Sequence, residues 1–482
     1  MLVVVVVCAG FALKSLLLID ATALWSDELY SVGKSFQASP AALLAMLRHD
    51  THPPLYYSLL WWWGQAVGQS PITLRLLSWL AYGAGGFVMV AQARTLAANR
   101  QIALHGEGLI GAQFGWTVPL AALMAFCSPY PIRFSIEGKS YALLVLLVAL
   151  SWWWRNQGHR GLYAVAVALA SLTHFYGLFL MLAAGAWDGW RRRWGLSLAA
   201  GLGVLPALAW MAYAAEYLFS PKAGSWIGSP SFALLEETLA RGLGVWPLPK
   251  LVLLLLTLVV LRRRGDLKPV RWLDADLWDR SGLIPTALMV VGVVLISFFK
   301  PLAFSRYFVV LIPALVPVLA VLFGDAQLNR GGRWFAGTVL VIVICSWWGP
   351  GFAELDSRFG GVREQDQFRI VSQQTEGLVE RFSPRARLLN LSDRMEQAMG
   401  RMSSPVAAWG DRSALRQRLS VTPHPAVIWL ASSGPEQALR RKLNPMQQQV
   451  EQVGYRCLDR SKGLSHGRIL RCQLESNMNP SL

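Results

Sequence analysis

This chain is short of charge. Asp, Glu, Lys and Arg make up 15% of its 482 residues, against about 25% in an average soluble domain. Acidic residues are the scarcer kind, 28 against 45 basic ones, leaving a net charge of +17. Cysteine is scarce as well. Five residues are too few for a disulfide scaffold, and neither CxxC nor HExxH occurs, so no zinc motif is visible. A hydrophobic content of 54% excludes intrinsic disorder and argues against an ordinary cytosolic enzyme. Neither internal repeats nor long low-complexity segments break up the sequence.

Tryptophan, in contrast, is abundant. Twenty of the 22 lie before residue 350, mostly at the ends of apolar runs, as in Trp61-Trp62-Trp63, Trp152-Trp153-Trp154 and Trp347-Trp348. That distribution reads as the interfacial aromatic belt of a membrane protein. The basic excess sits in short clusters between the runs, such as Arg191-Arg192-Arg193, and Arg262-Arg263-Arg264 with Lys268 and Arg271. These are cytoplasmic topology signals rather than a nucleic-acid surface. Membrane lipids are expected partners and nucleic acid is not.

Apolar runs cover 2–19, 72–93, 108–127, 139–154, 161–187, 195–215, 248–261, 283–299, 306–323 and 334–349. The first has no basic leader and no small-residue cleavage site, which favours a retained anchor. A span takes about 20 residues, so 161–187 is too long for one. Thr173-His174-Phe175-Tyr176-Gly177 interrupts its middle, giving two short helices that meet at a turn. The expected fold is an all-α polytopic membrane protein of about 11 transmembrane helices over residues 1–350. Its first outer loop is 20–71. A small C-terminal α/β extracytoplasmic domain follows at 351–482. With the N-terminus cytoplasmic in the plasma (inner) membrane, the basic clusters fall inside. In the tail a polar helix is expected over Glu364–Arg381. Tyr455–Leu458 and Arg468–Cys472 read as two strands that would bring Cys457 and Cys472 together. These are either a disulfide in an oxidising compartment or two free thiols in a small core.

The polar outer segments carry the chemistry. The first opens Trp25-Ser26-Asp27-Glu28-Leu29-Tyr30-Ser31. Alone, two such carboxylates also read as a helix start, with Ser26 or Asp27 as N-cap. The loop continues Asp50-Thr51-His52-Pro53-Pro54-Leu55-Tyr56-Tyr57, then Leu74-Arg75-Leu76-Leu77-Ser78. In this order the segments resemble the first periplasmic loop of GT-C glycosyltransferases. The closest branch is the one related to protein O-mannosyltransferases and the aminoarabinose transferase of lipid A. Ser135-Ile136-Glu137-Gly138-Lys139-Ser140-Tyr141 is similar to the family's S-x-E-x-R-x-Y segment. Thr173-His174-Phe175 resembles its T-H-[YF] turn, and Ser305-Arg306-Tyr307 with Pro313 its late RY segment. The resemblance covers about residues 20–320. Lys139 departs from it, since relatives usually have Arg there; the charge is kept but a bidentate fork is lost.

The resemblance implies an inverting membrane glycosyltransferase, a hexosyl- or pentosyltransferase. It would move a sugar from a polyprenyl-phosphate donor to a lipid, glycan or protein acceptor on the outer face. Asp27 would be the general base, Glu28 would orient it or bind a metal or the acceptor, and Glu137 would be a second acid. Lys139, Arg306, Tyr307 and His174 would bind the donor phosphate. His52, Tyr56 and Tyr141 would hold the acceptor or shape the loop. A divalent cation, Mg or Mn, if used, would sit on Asp27 and Glu137. Each assignment has a bland counterpart. Glu137 reads as a surface acid paired with Lys139 or Arg133, the cations as snorkelling side chains, the histidines as structural. The alternative class is a transporter or flippase of lipid-linked sugars. Transporters place ionisable groups near the bilayer midplane and show repeated halves, whereas these acids gather at one face and no repeat is seen.

Overall fold

A computed structural model describes residues 2–105, 116–127, 133–220, 227–243, 260, 274–324, 334, 338, 364–403, 406–434, 436–464 and 466–475. The expected spans at 248–261 and 334–349 fall almost wholly outside these, as does the Arg262 cluster. The chain divides into two compact units. The first holds residues 1–16, 37–62 and 75–353; the second holds 17–36, 63–74 and 354–482.

Helices in the apolar part are α1 (Leu2–Leu18), α2 (Ser26–Ser35), α3 (Pro40–Arg48), α4 (Leu55–Val67), α5 (Pro71–His105) and α6 (Thr117–Cys127). They continue with α7 (Tyr141–Gln157), α8 (Arg160–Thr173), α9 (Phe175–Trp190), α10 (Trp194–Tyr213), α11 (Phe232–Leu243), α12 (Ala275–Arg280), α13 (Leu283–Ser297) and α14 (Ile312–Gly324). The expected break in 161–187 is present: α8 ends at Thr173 and α9 starts at Phe175. Among the described residues, three helical stretches are long and apolar enough to cross a membrane, Pro71–Arg100, Trp194–Tyr213 and Ser305–Gly324. Leu2–Leu18, Thr117–Cys127, Arg160–Thr173 and Leu283–Ser297 are shorter apolar helices.

Several helices turn apolar side chains outward. Leu198, Leu202 and Leu205 of α10 are 63%, 55% and 53% exposed, and Leu288, Val291 and Leu295 line α13 in the same way. Stripes of this kind are costly against water and cost nothing against hydrocarbon. Within the first unit α8 packs on α7 and α10, α9 on α10 and α13, and α14 on α6 and α7.

The segment expected to be the first outer loop, 20–71, is more ordered than its sequence suggests, because α2, α3 and α4 lie within it. The Trp61–Trp63 triplet belongs to α4 and is not a uniform belt. Trp61 donates its indole N–H to Gln37 O at 2.8 Å and Trp63 to Thr73 O at 2.9 Å, while Trp62 is exposed.

In the second unit the tail forms α15 (Glu364–Gln374), β1 (Arg381–Phe382), α16 (Ala386–Ala398), α17 (Arg412–Leu419) and β2 (Val427–Ser433). Then come α18 (Glu436–Lys442), α19 (Asn444–Glu451), β3 (Tyr455–Asp459) and β4 (Gly467–Leu474). The helix expected to reach Arg381 ends at Gln374 instead. Gly377 adopts φ +77°, which turns the chain so that Arg381 opens β1. Sheet order is β1-β2-β4-β3, with β1 and β2 parallel and the other pairs antiparallel. Ile428, Leu430, Leu470 and Cys472 share a core with Leu415, Leu419, Leu439, Leu443, Met446 and Val450. The tail hairpin forms as expected. Cys457 and Cys472 stand opposite each other on β3 and β4 and are disulfide-bonded.

Candidate functional site

In the first unit the site is built around His174. This residue ends α8 and caps α9 with extended backbone, φ −159° and ψ 142°. Its Nδ1 accepts the Tyr176 backbone N–H at 3.1 Å. Gly177 then passes so close to α8 that a Cβ there would lie 2.3 Å from Ala170 O, so only glycine fits this turn. The imidazole is buried, and its Nε2 has no hydrogen-bond partner among the described residues. Burial, reinforced by the neighbouring His52 and Lys139, holds its pKa well below the usual histidine range. The neutral ring therefore carries its proton on Nε2, because Nδ1 is already an acceptor.

Other segments converge on this ring. Ring centroids lie 4.8 Å away for Tyr307, 5.7 Å for His52, 5.7 Å for Tyr176 and 6.1 Å for Tyr141. Tyr307 sits on the 3₁₀ segment Ser305–Leu311, and Tyr141 is the first residue of α7. The Tyr176 hydroxyl donates to Leu302 O at 2.8 Å, tying α9 to the stretch before the Ser305 segment. Ser305 Oγ meets Glu237 Oε2 of α11 at 2.8 Å. Arg306 lies with its guanidinium 5.6 Å from the Phe304 ring centre.

His52 enters from the turn before α4. Asp50 Oδ1 accepts its backbone N–H at 3.0 Å and stands 2.7 Å from its Nδ1. The His52 ring is also edge-on to Tyr57 at 5.8 Å, and Tyr57 in turn packs on Tyr56 at 5.4 Å. Glu137 and Lys139 are both buried, at 1% and 5% exposure, so Glu137 is not a surface acid and Lys139 does not snorkel to water.

Asp27 and Glu28 belong to the second unit and start α2. The N-cap is Trp25, one residue before the Ser26 or Asp27 expected from sequence. Buried Glu28 reaches back to accept the Trp25 backbone N–H at 3.3 Å, and Asp27 is half-buried in the same turn. Among the described residues no group of three or more His, Cys, Asp or Glu is placed to hold a metal ion.

Of the residues singled out from sequence, His52, Tyr141, His174 and Tyr307 come together. Tyr57 and Tyr176 were missed, although both stand within quoted motifs. Asp50 was quoted without a role; its signal was the i, i+2 spacing to His52, which suits a side-chain-closed turn.

No family model matches the sequence, and no curated protein does. Solved structures do match. A crystal structure of ArnT from Cupriavidus metallidurans in the apo state aligns with a TM-score of 0.56, over 97% of each chain and at 11% identity. The chain has the GT-C fold of ArnT. A second structure, of ArnT from the same organism bound to undecaprenyl phosphate, aligns with a TM-score of 0.53, also over 97% of each chain, at 13% identity. At such identities the likeness to ArnT is one of fold, and it extends through the tail as well as the apolar part.

Proposed function

We propose that this chain is a multi-pass membrane glycosyltransferase that takes its sugar from a polyprenyl-phosphate donor. The carrying observation is the fold shared with ArnT over 97% of both chains, ArnT being seen with undecaprenyl phosphate bound. The cluster around His174 supports it, because a departing lipid phosphate needs cations and N–H donors where its charge develops.

The finer reading is an inverting single displacement on the outer face. Asp27 takes the proton of the acceptor hydroxyl. The acceptor oxygen bonds to the sugar C1 as the bond from C1 to the phosphate oxygen breaks. The electron pair leaves with the polyprenyl phosphate, whose charge is met by Lys139, Arg306, Tyr307 and His174. Glu28 holds the turn that carries Asp27, and Glu137 is the second acid. His52, Tyr56 and Tyr141 shape the acceptor side. Hard cations are often held by one or two carboxylates plus substrate phosphate. Asp27 and Glu137 are the carboxylates that would serve a Mg or Mn ion, and no step above depends on one. The N-terminus is cytoplasmic and the tail extracytoplasmic in this reading.

Transfer of labelled sugar from a panel of polyprenyl-phosphate hexoses and pentoses, with the purified chain in detergent, tests it. Asp27→Asn keeps size and removes the base, so turnover should fall by about 10²-fold or more. Near-normal turnover would return Asp27 to a helix-start role. Lipid translocation in proteoliposomes without any transfer would replace the enzyme with a flippase.

A further inference from the structure

The helix that carries Asp27 and Glu28 is fastened to the tail ahead of its first turn and again in its last, all within the second unit. α16 ends in a Schellman turn. Gly400 takes φ +67°, its N–H bonds to Gln397 O at 2.9 Å, and the Arg401 N–H reaches Glu396 O at 2.9 Å. The turn sends the Arg401 guanidinium back along the helix. It stands 3.6 Å from the buried Glu396 carboxylate and forms an ion pair with Asp20, which lies between α1 and α2. From there the chain reaches α2 through Thr22, Ala23, Leu24 and Trp25, all buried, and the Glu28 bond to the Trp25 N–H closes the helix start. In the last turns of α2, Gly33 faces α16. A Cβ there would stand 3.0 Å from Leu391 Cδ1 and 3.4 Å from Arg387 Nη2, so the two helices approach at a distance that suits glycine.

α16 is itself fixed. Its Asn390 exchanges two hydrogen bonds with the Trp409 backbone, at 3.0 and 2.8 Å, and its Asp393 pairs with Arg381 of β1 at 2.6 Å. A helix of ten residues, such as α2, is marginal by itself. α2 therefore takes its position from the sheet-anchored α16 rather than the reverse.

We infer that Arg401 is a positioning residue for the proposed base: through Asp20, the tail sets where α2 presents Asp27. The tail is then a working part of the transferase and not an appendage. The consequence for transfer rests on the role given to Asp27 above; the clamp on α2 does not. Arg401 acts through Asp20 and takes no part in the displacement. A misplacement of about 1 Å, caused by a change away from the chemistry, can cost about 10²-fold in rate.

Hydrogen exchange of the full chain in detergent tests the clamp without substrate. Asp20→Ala removes one side of the ion pair and leaves Arg401 with Glu396, whereas Arg401→Gln removes both contacts. The expected result in Asp20→Ala is faster exchange at the Leu29 to Phe36 amides, with β2, β4 and α9 protected as in the wild-type chain. Unchanged α2 exchange overturns the proposal. Loss of protection in β2 and β4 also overturns it, because the pair would then hold the tail together rather than place α2. The double variant should speed α2 exchange no more than Arg401→Gln alone; additive effects would mean that the two residues act separately.

Lipid binding and turnover then read the consequence. Undecaprenyl phosphate should bind Asp20→Ala as it binds the wild-type chain, since Lys139, His174, Arg306 and Tyr307 belong to the first unit. In the same variant kcat should fall by about 10-fold or more, with Asp20→Glu retaining most of it. Binding and turnover that fall together, or equal loss in Asp20→Ala and Asp20→Glu, would make the pair structural only. Wild-type kcat in Asp20→Ala despite altered α2 exchange would remove the positioning role. A wild-type chain that transfers no sugar while α2 responds as stated sinks the glycosyltransferase reading and not the clamp.

Discussion

Arg155 is a buried cation with four hydrogen bonds. Its Nε and Nη2 donate to Asp188 at 2.9 and 2.7 Å, and its Nη1 and Nη2 reach Asp279 O and Oδ1 at 2.8 and 2.9 Å. Arg193 bridges the same two carboxylates, and the Trp187 indole donates to Asp279. Two arginines against two aspartates leave the cluster neutral, so burial is tolerable only while it stays whole. Asp188→Ala would strand Arg155 in a site that excludes water. The expected loss is about 3–5 kcal/mol, read as a lower melting temperature in detergent; an unshifted melt would show that the cluster is hydrated. In sequence, Arg155 and Arg193 read simply as topology charges. Arg155 meets Asp188 from 33 residues away and Asp279 from 124, and Arg193 meets Asp279 from 86, pairings no local pattern announces.

At the scale of elements, the turn between α8 and α9 is the most legible feature near the site. A polar pentapeptide within an apolar run too long for one span has to break the helix, and it does. Gly177→Ala should force that turn open, since the added Cβ meets the Ala170 carbonyl. Overpacking of this kind costs typically about 1–3 kcal/mol, and the His174 ring signal should shift with it; a native signal would mean that α8 can yield. In the tail, Asp411 caps α17 by accepting from the Ser413 and Ala414 N–H groups at 2.8 and 2.9 Å. The Ala414 N–H foremost, then Ser413, holds the Asp411 carboxyl below its ordinary range. A depressed carboxylate contributes stability above its unfolded pKa and loses it as pH falls through the folded one. Asp411→Ala should therefore cost about 1 kcal/mol at neutral pH and less in strong acid. A difference undiminished at low pH would exclude a contribution from the cap's charge.

For the whole molecule, the proposed sidedness ties the tail to an oxidising compartment. Cys457 and Cys472 face each other across the β3–β4 register. Thiol labelling under denaturing, non-reducing conditions should leave both unmodified, and full labelling of both would refute the bond. A reporter fused after Leu482 should be active outside the cytoplasm. Activity confined to the cytoplasm would invert the topology and take the outer-face reading of the motifs with it.

Composition and period by themselves determined that this is a helical, lipid-facing body followed by a polar tail. Long apolar runs have one cheap solvent, and a change in composition near residue 350 needs no tertiary context to be read. Strand alternation likewise placed Cys457 and Cys472 on a hairpin. The sequence also carried the candidate site's motifs, because polar and ionisable residues stand out against an apolar background. Only the tertiary structure decided how they are placed. It grouped the neighbourhood of 17–36 and 63–74 with the tail, gave Glu28 its bond to Trp25 N–H, and set His52 beside His174. Hydrophobic pattern is a local property of the chain. Which nitrogen meets which carboxylate depends on contacts between segments that the pattern does not encode.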